Sequence, residues 1–324
     1  MPTDLDSRIA ELTHRRATHP EAIGDAWATR TRRPLLPDDG RLLIVAADHP
    51  ARGALAVAGH ARAMSSRRGL LHRLATALAH PDVDGVLGTA DLLDDLLLLG
   101  LLDGKLAIGS MNRGGLAGAS YELDDRFTGY SASALARQGL DGGKMLTRIS
   151  LADPACVSVL HAASQAVTDL AAHRLPALIE PFWSGRDETG QLCNFLDPDS
   201  VIRSVHVAAG LGSTSAYTWL KLPVVPDMER VLDATTLPVL LLGGDPGVPG
   251  ATTYDDWAAA LHHHHVRGLV VGRALLYPGD DDVAAAVARA AALVHPRSDR
   301  PLGDIPPDPA APTQVTPEGH GGMA

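Results

Sequence analysis

Residues 1–40 are mostly polar; after them, short apolar runs recur along the chain with longer, helically patterned segments between them. The runs are Leu42–Ala47, Gly85–Leu87, Leu106–Gly109, Met145–Ile149, Ala177–Glu180, Tyr217–Leu222, Val239–Leu242 and Gly268–Val271. Each is too short for a core helix and is bounded by Gly, Pro, Asp or Ser, which predicts strands. Strands that alternate with helices imply right-handed crossovers and a parallel sheet, and eight such units match a closed (β/α)8 barrel. The competing doubly wound sheet expects a glycine-rich phosphate turn after strand one, whereas Ala47-Asp48-His49-Pro50 has none.

The flanks differ from this pattern. Residues 4–16 and 20–30 predict two polar helices, so residues 1–40 read as an N-terminal helical extension to a barrel domain over 41–296. From Pro296 the chain is rich in Pro, Gly, Asp and Thr, and 297–324 is expected to be a disordered tail. The apolar run over 92–102 is interrupted by Asp94, Asp95 and Gly100 and is too short to span a bilayer, so it reads as a buried helix. The stretch from Ser110 through Asn112 to Gly143 is long for a connection after strand three and predicts a lid or substrate loop.

With 324 residues, 45% of them hydrophobic, the chain can bury a large core. A net charge of -10 argues against a nucleic-acid or acidic-membrane surface but leaves room for a local basic pocket. Cys156 and Cys193 have neither zinc-ligand spacing nor the number needed for a disulfide framework. The opening residues lack a basic segment followed by an apolar core, and a cytoplasmic location is expected. The run His262–His265 reads as a surface tract on a helix far from the barrel top, without acidic ligands, so no metal is expected.

A parallel barrel carries its active site at the C-terminal ends of the strands, which sorts the three lysines of the chain. Lys105 precedes strand three and belongs to the bottom face, a structural place. Lys221 ends strand six and, by period-two alternation, shares the inward face with Trp219 and Tyr217. There its amine can form a Schiff base with a ketone, or simply snorkel to solvent at the barrel mouth. Lys144 and Arg148 share a face of strand four; Lys144 reads either as a second cation that depresses the first amine's pKa or as a solvated lysine after a glycine turn. Glu180, at the top of strand five, suits proton transfer or a structural ion pair. Asp48, after strand one, suits a substrate hydroxyl, a lysine, or a loop cap. Gly243 and Gly244 after strand seven, with Gly272 and Arg273 after strand eight, stand where barrels bind phosphate, and Arg113 is a candidate second anion contact.

As an ordered set, Ala47-Asp48-His49, Gly143-Lys144-Met145-Leu146, Leu178-Ile179-Glu180-Pro181, Leu220-Lys221-Leu222-Pro223, Leu242-Gly243-Gly244 and Val271-Gly272-Arg273-Ala274 resemble the class I aldolases of the deoxyribose-phosphate and tagatose-bisphosphate aldolase superfamily. The resemblance runs from strand one to strand eight. It implies a metal- and cofactor-independent lyase in which Lys221 forms the imine, Glu180 shuttles the proton, Lys144 and Asp48 contact substrate, and Gly243, Gly244 and Arg273 hold phosphate. The chain is also similar to actinobacterial barrel proteins associated with inositol catabolism, which implies cleavage of 5-dehydro-2-deoxy-6-phosphogluconate. The long loop, the N-terminal helices and the tail fall outside the family pattern. The expected partners are a small phosphorylated sugar or sugar-acid substrate and further copies of the chain in a homo-oligomer; neither nucleic acid nor a membrane is expected. Two other readings stay open: a metabolite-binding regulatory barrel without turnover, and an imine-forming lyase acting on an unphosphorylated substrate.

Overall fold

The computed structural model describes residues 3–113, 115–246 and 252–296, and the expected tail over 297–324 lies outside the described residues. Nine strands follow in order: β1 (Leu42–Ala46), β2 (Gly85–Gly88), β3 (Leu106–Ser110), β4 (Gly142–Ile149), β5 (Ala177–Arg186), β6 (Leu192–Asn194), β7 (Thr218–Leu222), β8 (Val239–Leu242) and β9 (Val266–Val271). All but β6 pair in parallel around a ring, which closes through β1 on β9 and β4 on β5. The (β/α)8 barrel expected from the apolar runs is therefore the architecture.

The helices are α1 (Thr3–Thr18), α2 (Glu21–Thr29), α3 (Arg67–Leu78), α4 (Ala90–Leu98), α5 (Ala132–Gln138), α6 (Ala155–Ala172), α7 (Pro198–Ala209), α8 (Met228–Leu232), α9 (Tyr254–Ala260), α10 (Arg273–Leu276) and α11 (Val283–Val294). No helix among the described residues is long and apolar enough to cross a membrane.

Alternation along the strands divides the core into two shells. Leu43, Val45, Val86, Met145, Ile179, Leu220, Leu222 and Leu241 face the helices. Leu42, Ile44, Leu87, Ile108, Leu178, Leu240 and Val270, with Trp219, fill the barrel. Above them Leu146, Phe182 and Leu242 form a small separate apolar patch. The interior is thus plugged from below, and polar side chains on the inward face collect near its upper end. Closure also constrains backbone: Gly268 in β9 has φ +125°, and a Cβ there would lie 1.9 Å from the Leu42 carbonyl oxygen.

Several sequence boundaries shift. Strand four begins at Gly142, not Met145, so Lys144 sits within a strand rather than after a glycine turn. Tyr217 lies just outside β7. The long connection after strand three contains α5, the ordinary crossover helix, which among the described residues confines the irregular part to 111–113 and 115–131. Helix α4 ends at Leu98. The run His262–His265 is a turn between α9 and β9, not part of a helix; a turn that feeds a strand start lies at the bottom face. The hairpin of β6 on the far end of β5 had no sequence signal.

Helices α1 and α2 are held against the barrel's outer layer. Arg16 reaches Asp95 at 2.8 Å, and the Trp27 indole donates to Asp94 at 2.8 Å. Arg30, past the end of α2, donates to the Lys105 carbonyl at 2.6 Å and to Asp141 at 2.9 Å. Lys105 in turn donates to the carbonyl of Val83 at 2.6 Å, the structural place its position before β3 predicts.

At the bottom face His295, just past α11, bridges Asp39 at 2.6 Å and Asp84 at 3.0 Å, while Arg33 also binds Asp84 at 2.7 Å. Burial disfavours the imidazolium, but its hydrogen bonds to Asp84 and Asp39 outweigh that and raise its pKa. A raised folded-state pKa stabilises the protein fully below the unfolded value of about 6.5 and is lost as pH rises through the folded value. Replacing His295 by Gln should therefore lower the melting temperature more at pH 6 than at pH 9, as thermal unfolding followed by circular dichroism would show. In the same assay Gly268→Ala should destabilise by about 1–3 kcal/mol or more through backbone overpacking.

Candidate active site at the barrel mouth

A cavity of about 420 Å³ opens at the C-terminal ends of the strands. Period-two alternation turns Lys144 and Arg148 of β4, Glu180 of β5 and Lys221 of β7 toward it, and Asp48 follows directly after β1. Lys144 is 1%, Lys221 4%, Glu180 8% and Asp48 1% exposed, so four ionisable groups share a site nearly free of solvent.

Glu180 joins the two amines. Its Oε1 accepts from the Lys221 Nζ at 2.6 Å, and its Oε2 forms an ion pair with the Lys144 Nζ. Lys144 also donates to Asp48 Oδ2 at 3.3 Å. The same oxygen accepts from the Ser110 hydroxyl at 3.0 Å and from the Arg113 guanidinium, whose Nε donates to Ser110 at 3.0 Å. The chain of contacts thus runs Lys221, Glu180, Lys144, Asp48, Arg113, and its two carboxylates face three cations.

Burial pushes the Glu180 carboxyl up, but Lys144 and Lys221 outweigh it and hold it well below the usual carboxylate range. Asp48 behaves alike: burial raises it, while Arg113 and Lys144 bring it far down. Lys144 moves the other way. Burial, then the Arg113 charge, lower its ammonium to about 8, against the opposing pull of Asp48 and Glu180. One amine of the site therefore lies close to its own titration point in ordinary buffers.

Across the mouth stand Gly243, Gly244, Gly272 and Arg273, all lining the cavity. Gly272 has a steric reason to be glycine, since a Cβ would lie 2.3 Å from the Ala46 carbonyl oxygen. Arg273 donates to Asp245 at 2.7 Å, while its buried Nε has no hydrogen-bond partner among the described residues. His49 Nδ1 is likewise buried without a hydrogen bond, although 24% of the side chain remains exposed. Burial pushes its imidazole down to about 3, so His49 lines the site as a neutral ring. Both orphaned nitrogens suit an oxygen-rich ligand.

All the sequence-selected site residues line this one cavity. Arg113 is there too, though bound to Asp48. Sequence reasoning passed over His49, Ser110, Arg52 and Glu122. Of these, His49 carried a local signal, by adjacency to Asp48; Ser110 ends β3 but reads from sequence as the start of the loop, and Arg52 and Glu122 come from turn and loop segments without a periodicity to read. Asn112 explains how the loop after β3 is fastened: its side chain bonds the Leu146 amide at 2.7 Å and the Leu146 carbonyl at 2.5 Å, mimicking a strand partner along β4. Among the described residues, no group of three or more His, Cys, Asp or Glu side chains is arranged to hold a metal ion.

Residues 40–291 match the model of the Cgl0159-like family, and the chain belongs to that family. The crystal structure of Cgl0159 from Corynebacterium glutamicum (Brevibacterium flavum) is 52% identical, with a TM-score of 0.86 over 90% of this chain and 97% of that one. An archaeal fructose-1,6-bisphosphate aldolase, solved with its catalytic Lys covalently bound to the carbinolamine intermediate of its substrate, is 18% identical, with a TM-score of 0.55 over 84% of this chain and 99% of that one. A fructose-bisphosphate aldolase from Slackia heliotrinireducens is 16% identical, with a TM-score of 0.55 over 82% and 88% of the two chains. At these identities the likeness to the aldolases is one of fold. No curated protein matches the chain.

Glu180→Gln would leave two buried ammonium groups without the carboxylate between them. Breaking a buried ion pair from one side costs about 3–5 kcal/mol, and urea unfolding should show a loss of that order. Lys144→Met in the Glu180→Gln background should recover part of it.

Proposed function

We propose that this member of the Cgl0159-like family is a class I aldolase that cleaves a phosphorylated keto-sugar or keto-sugar acid through an imine on Lys221. The observation that carries this reading is the single carboxylate of Glu180, buried between the amines of Lys221 and Lys144 at the C-terminal mouth of the barrel. The barrel fold shared with Schiff-base aldolases supports it, as does the ordered set of motifs from Ala47 to Ala274.

In this reading the neutral amine of Lys221 attacks the substrate ketone. The carbinolamine loses its hydroxyl as water, with Lys144 giving the proton, and a protonated imine remains. Glu180 takes the proton from the hydroxyl on the β carbon. The bond between the α and β carbons breaks, its electron pair forms the double bond from the α carbon to the imine carbon while the C=N pair moves onto nitrogen, giving a neutral enamine, and the aldehyde departs. Glu180 returns its proton to the α carbon, and hydrolysis releases the ketone phosphate, the Lys221 amine and the proton that recharges Lys144. The neighbouring cations favour the carboxylate form of Glu180 before cleavage. Once the lysine has become part of the imine, the Glu180–Lys221 contact changes and the carboxylate is freer to accept the hydroxyl proton.

Gly243, Gly244, Gly272 and Arg273 would anchor the phosphate and so position the ketone beside Lys221. Asp48 would meet a substrate hydroxyl, its charge kept in place by Arg113 and Ser110. The substrate 5-dehydro-2-deoxy-6-phosphogluconate satisfies these requirements: a ketone flanked by a phosphate arm on one side and a cleavable hydroxyl-bearing carbon on the other.

Borohydride reduction in the presence of dihydroxyacetone phosphate, followed by intact-mass and peptide analysis, should show one covalent adduct at Lys221 that is missing from Lys221→Met. An adduct at Lys144 would reassign the nucleophile. Binding without adduct for a panel of ketones would favour a metabolite-binding barrel, and an adduct whose yield is indifferent to Arg273→Ala would favour an unphosphorylated substrate. Because Lys144 must donate a proton and titrates near 8, kcat should fall as pH rises through about 8, and Lys144→Arg should move that limb upward.

A further inference from the structure

We propose that Arg52 and Arg148 form a second anion site in the same cavity, so that the substrate carries an anionic group at both ends. The proposal rests on the aldolase reading for the chemistry between the two ends, and its own basis is the geometry of the wall opposite Arg273. Around the closed ring the order is β1, β2, β3, β4, β5, β7, β8, β9, which sets β4 diametrically across from β9. Arg148 leaves the upper part of β4, while Gly272 and Arg273 follow β9. Lys221 and Glu180 stand on strands between them. A substrate anchored at Gly272 and Arg273 and reacting at Lys221 has its far end directed toward the β4 wall.

That wall sets Arg148 and Arg52 against Asp125 and Glu122, and the pairing is incomplete. Arg148 uses Nε and Nη2 on Asp125, at 2.8 and 2.5 Å, and Nη2 also donates to the Glu122 carbonyl. Among the described residues its Nη1 meets Glu122 Oε1, at 3.7 Å, beyond hydrogen-bonding range. Arg52, from the short 3-10 turn His49–Arg52, spends Nε on the Gly115 carbonyl at 2.9 Å, and its Nη2 stands 3.7 Å from the same Glu122 oxygen. The other Glu122 oxygen accepts from the Gly118 amide at 2.9 Å. One oxygen of the chain's own carboxylate thus rests between two guanidinium groups without bonding either. Both guanidiniums, and Glu122 itself, line the cavity that holds Lys221.

One Nη of the buried Arg148 and one of the partly buried Arg52 converge on a single oxygen position, and a carboxylate or phosphate oxygen placed there can bond both at once. Burial, and then the charge of Arg148, lower the Arg52 pKa to about 10, against the opposing pull of Asp125 and Glu122. Arg113, bonded to Asp48 and Ser110, belongs to the Lys144 end of the cavity rather than to the Glu122 wall. Glu122 comes from the long loop after β3, which falls outside the aldolase pattern. The substrate class is then an open-chain keto-sugar with phosphate at the Arg273 end and a carboxylate or second phosphate at the Arg52–Arg148 end.

The test is calorimetric titration of the full chain with three six-carbon probes that have no aldehyde or ketone and form no imine: 6-phosphogluconate, glucitol 1,6-bisphosphate and glucitol 6-phosphate. The two doubly anionic probes should bind at least about tenfold tighter than glucitol 6-phosphate, the scale of one charge-assisted contact. Arg52→Gln should bring that ratio close to one, and Glu122→Gln should widen it by removing the competing carboxylate. The tighter of the two doubly anionic probes identifies the distal group as carboxylate or phosphate. Equal binding of all three, no binding of any, or a ratio that survives Arg52→Gln would overturn the proposal. Borohydride trapping with dihydroxyacetone phosphate reads the imine separately: an adduct without the anion preference leaves the aldolase reading standing alone, and the preference without an adduct leaves the distal site standing alone.

Discussion

The buried carboxylate of Glu180, shared between Lys144 and Lys221, is the constraint on which the upper half of this barrel depends. Two ammonium groups in a nearly dry cavity repel each other and lose hydration, and neither is tolerated there without an opposite charge. The carboxylate supplies it, and Asp48 shares the load on Lys144. Their positions are fixed by closure, because β4 and β5 are hydrogen-bonded neighbours and β7 is the next strand around. The same closure plugs the lower interior with Leu42, Ile44, Leu178 and Trp219, so water reaches these charges only from above.

The charge arrangement explains why the loop after β3 is built as it is. Arg113 must reach Asp48, and Arg148 must be balanced by Asp125, so the loop has to be pinned to the top of β4. Asn112 does this by bonding both backbone groups of Leu146, which extends the pairing of β4 into irregular chain. The loop is therefore part of the site's electrostatics as well as its cover, and Glu122 arrives at the cavity through it.

Much of the barrel could be read before folding. Strand burial on both faces makes each run almost continuously apolar, and the alternation of eight such runs with helical segments leaves little other topology. Lys221 and Glu180 were also legible, because a charged residue at the end of an apolar strand has its direction set by the pleat. Lys144 was harder: Gly142 and Gly143 look like a turn. They belong to the strand because they pair with β3 and β5, and 143 is glycine because a side chain there would collide with Met111, Leu135 and Leu170 from three different segments. A contact of that kind has no local signature. The hairpin of β6 and the turn containing His262–His265 were missed for a similar reason, since their form depends on what they abut.

The sequence alone determined the fold class, the inward direction of Lys221 and Glu180, and the bottom-face place of Lys105, since each follows from periodicity along one strand or from order along the chain. Tertiary structure decided which charges meet: that Glu180 binds both amines, that Arg113 is occupied by Asp48, and that Glu122 rests between Arg52 and Arg148. Coulomb and hydrogen-bond energies depend on distances of a few ångströms between groups far apart in the chain, and those distances exist only once the barrel has closed.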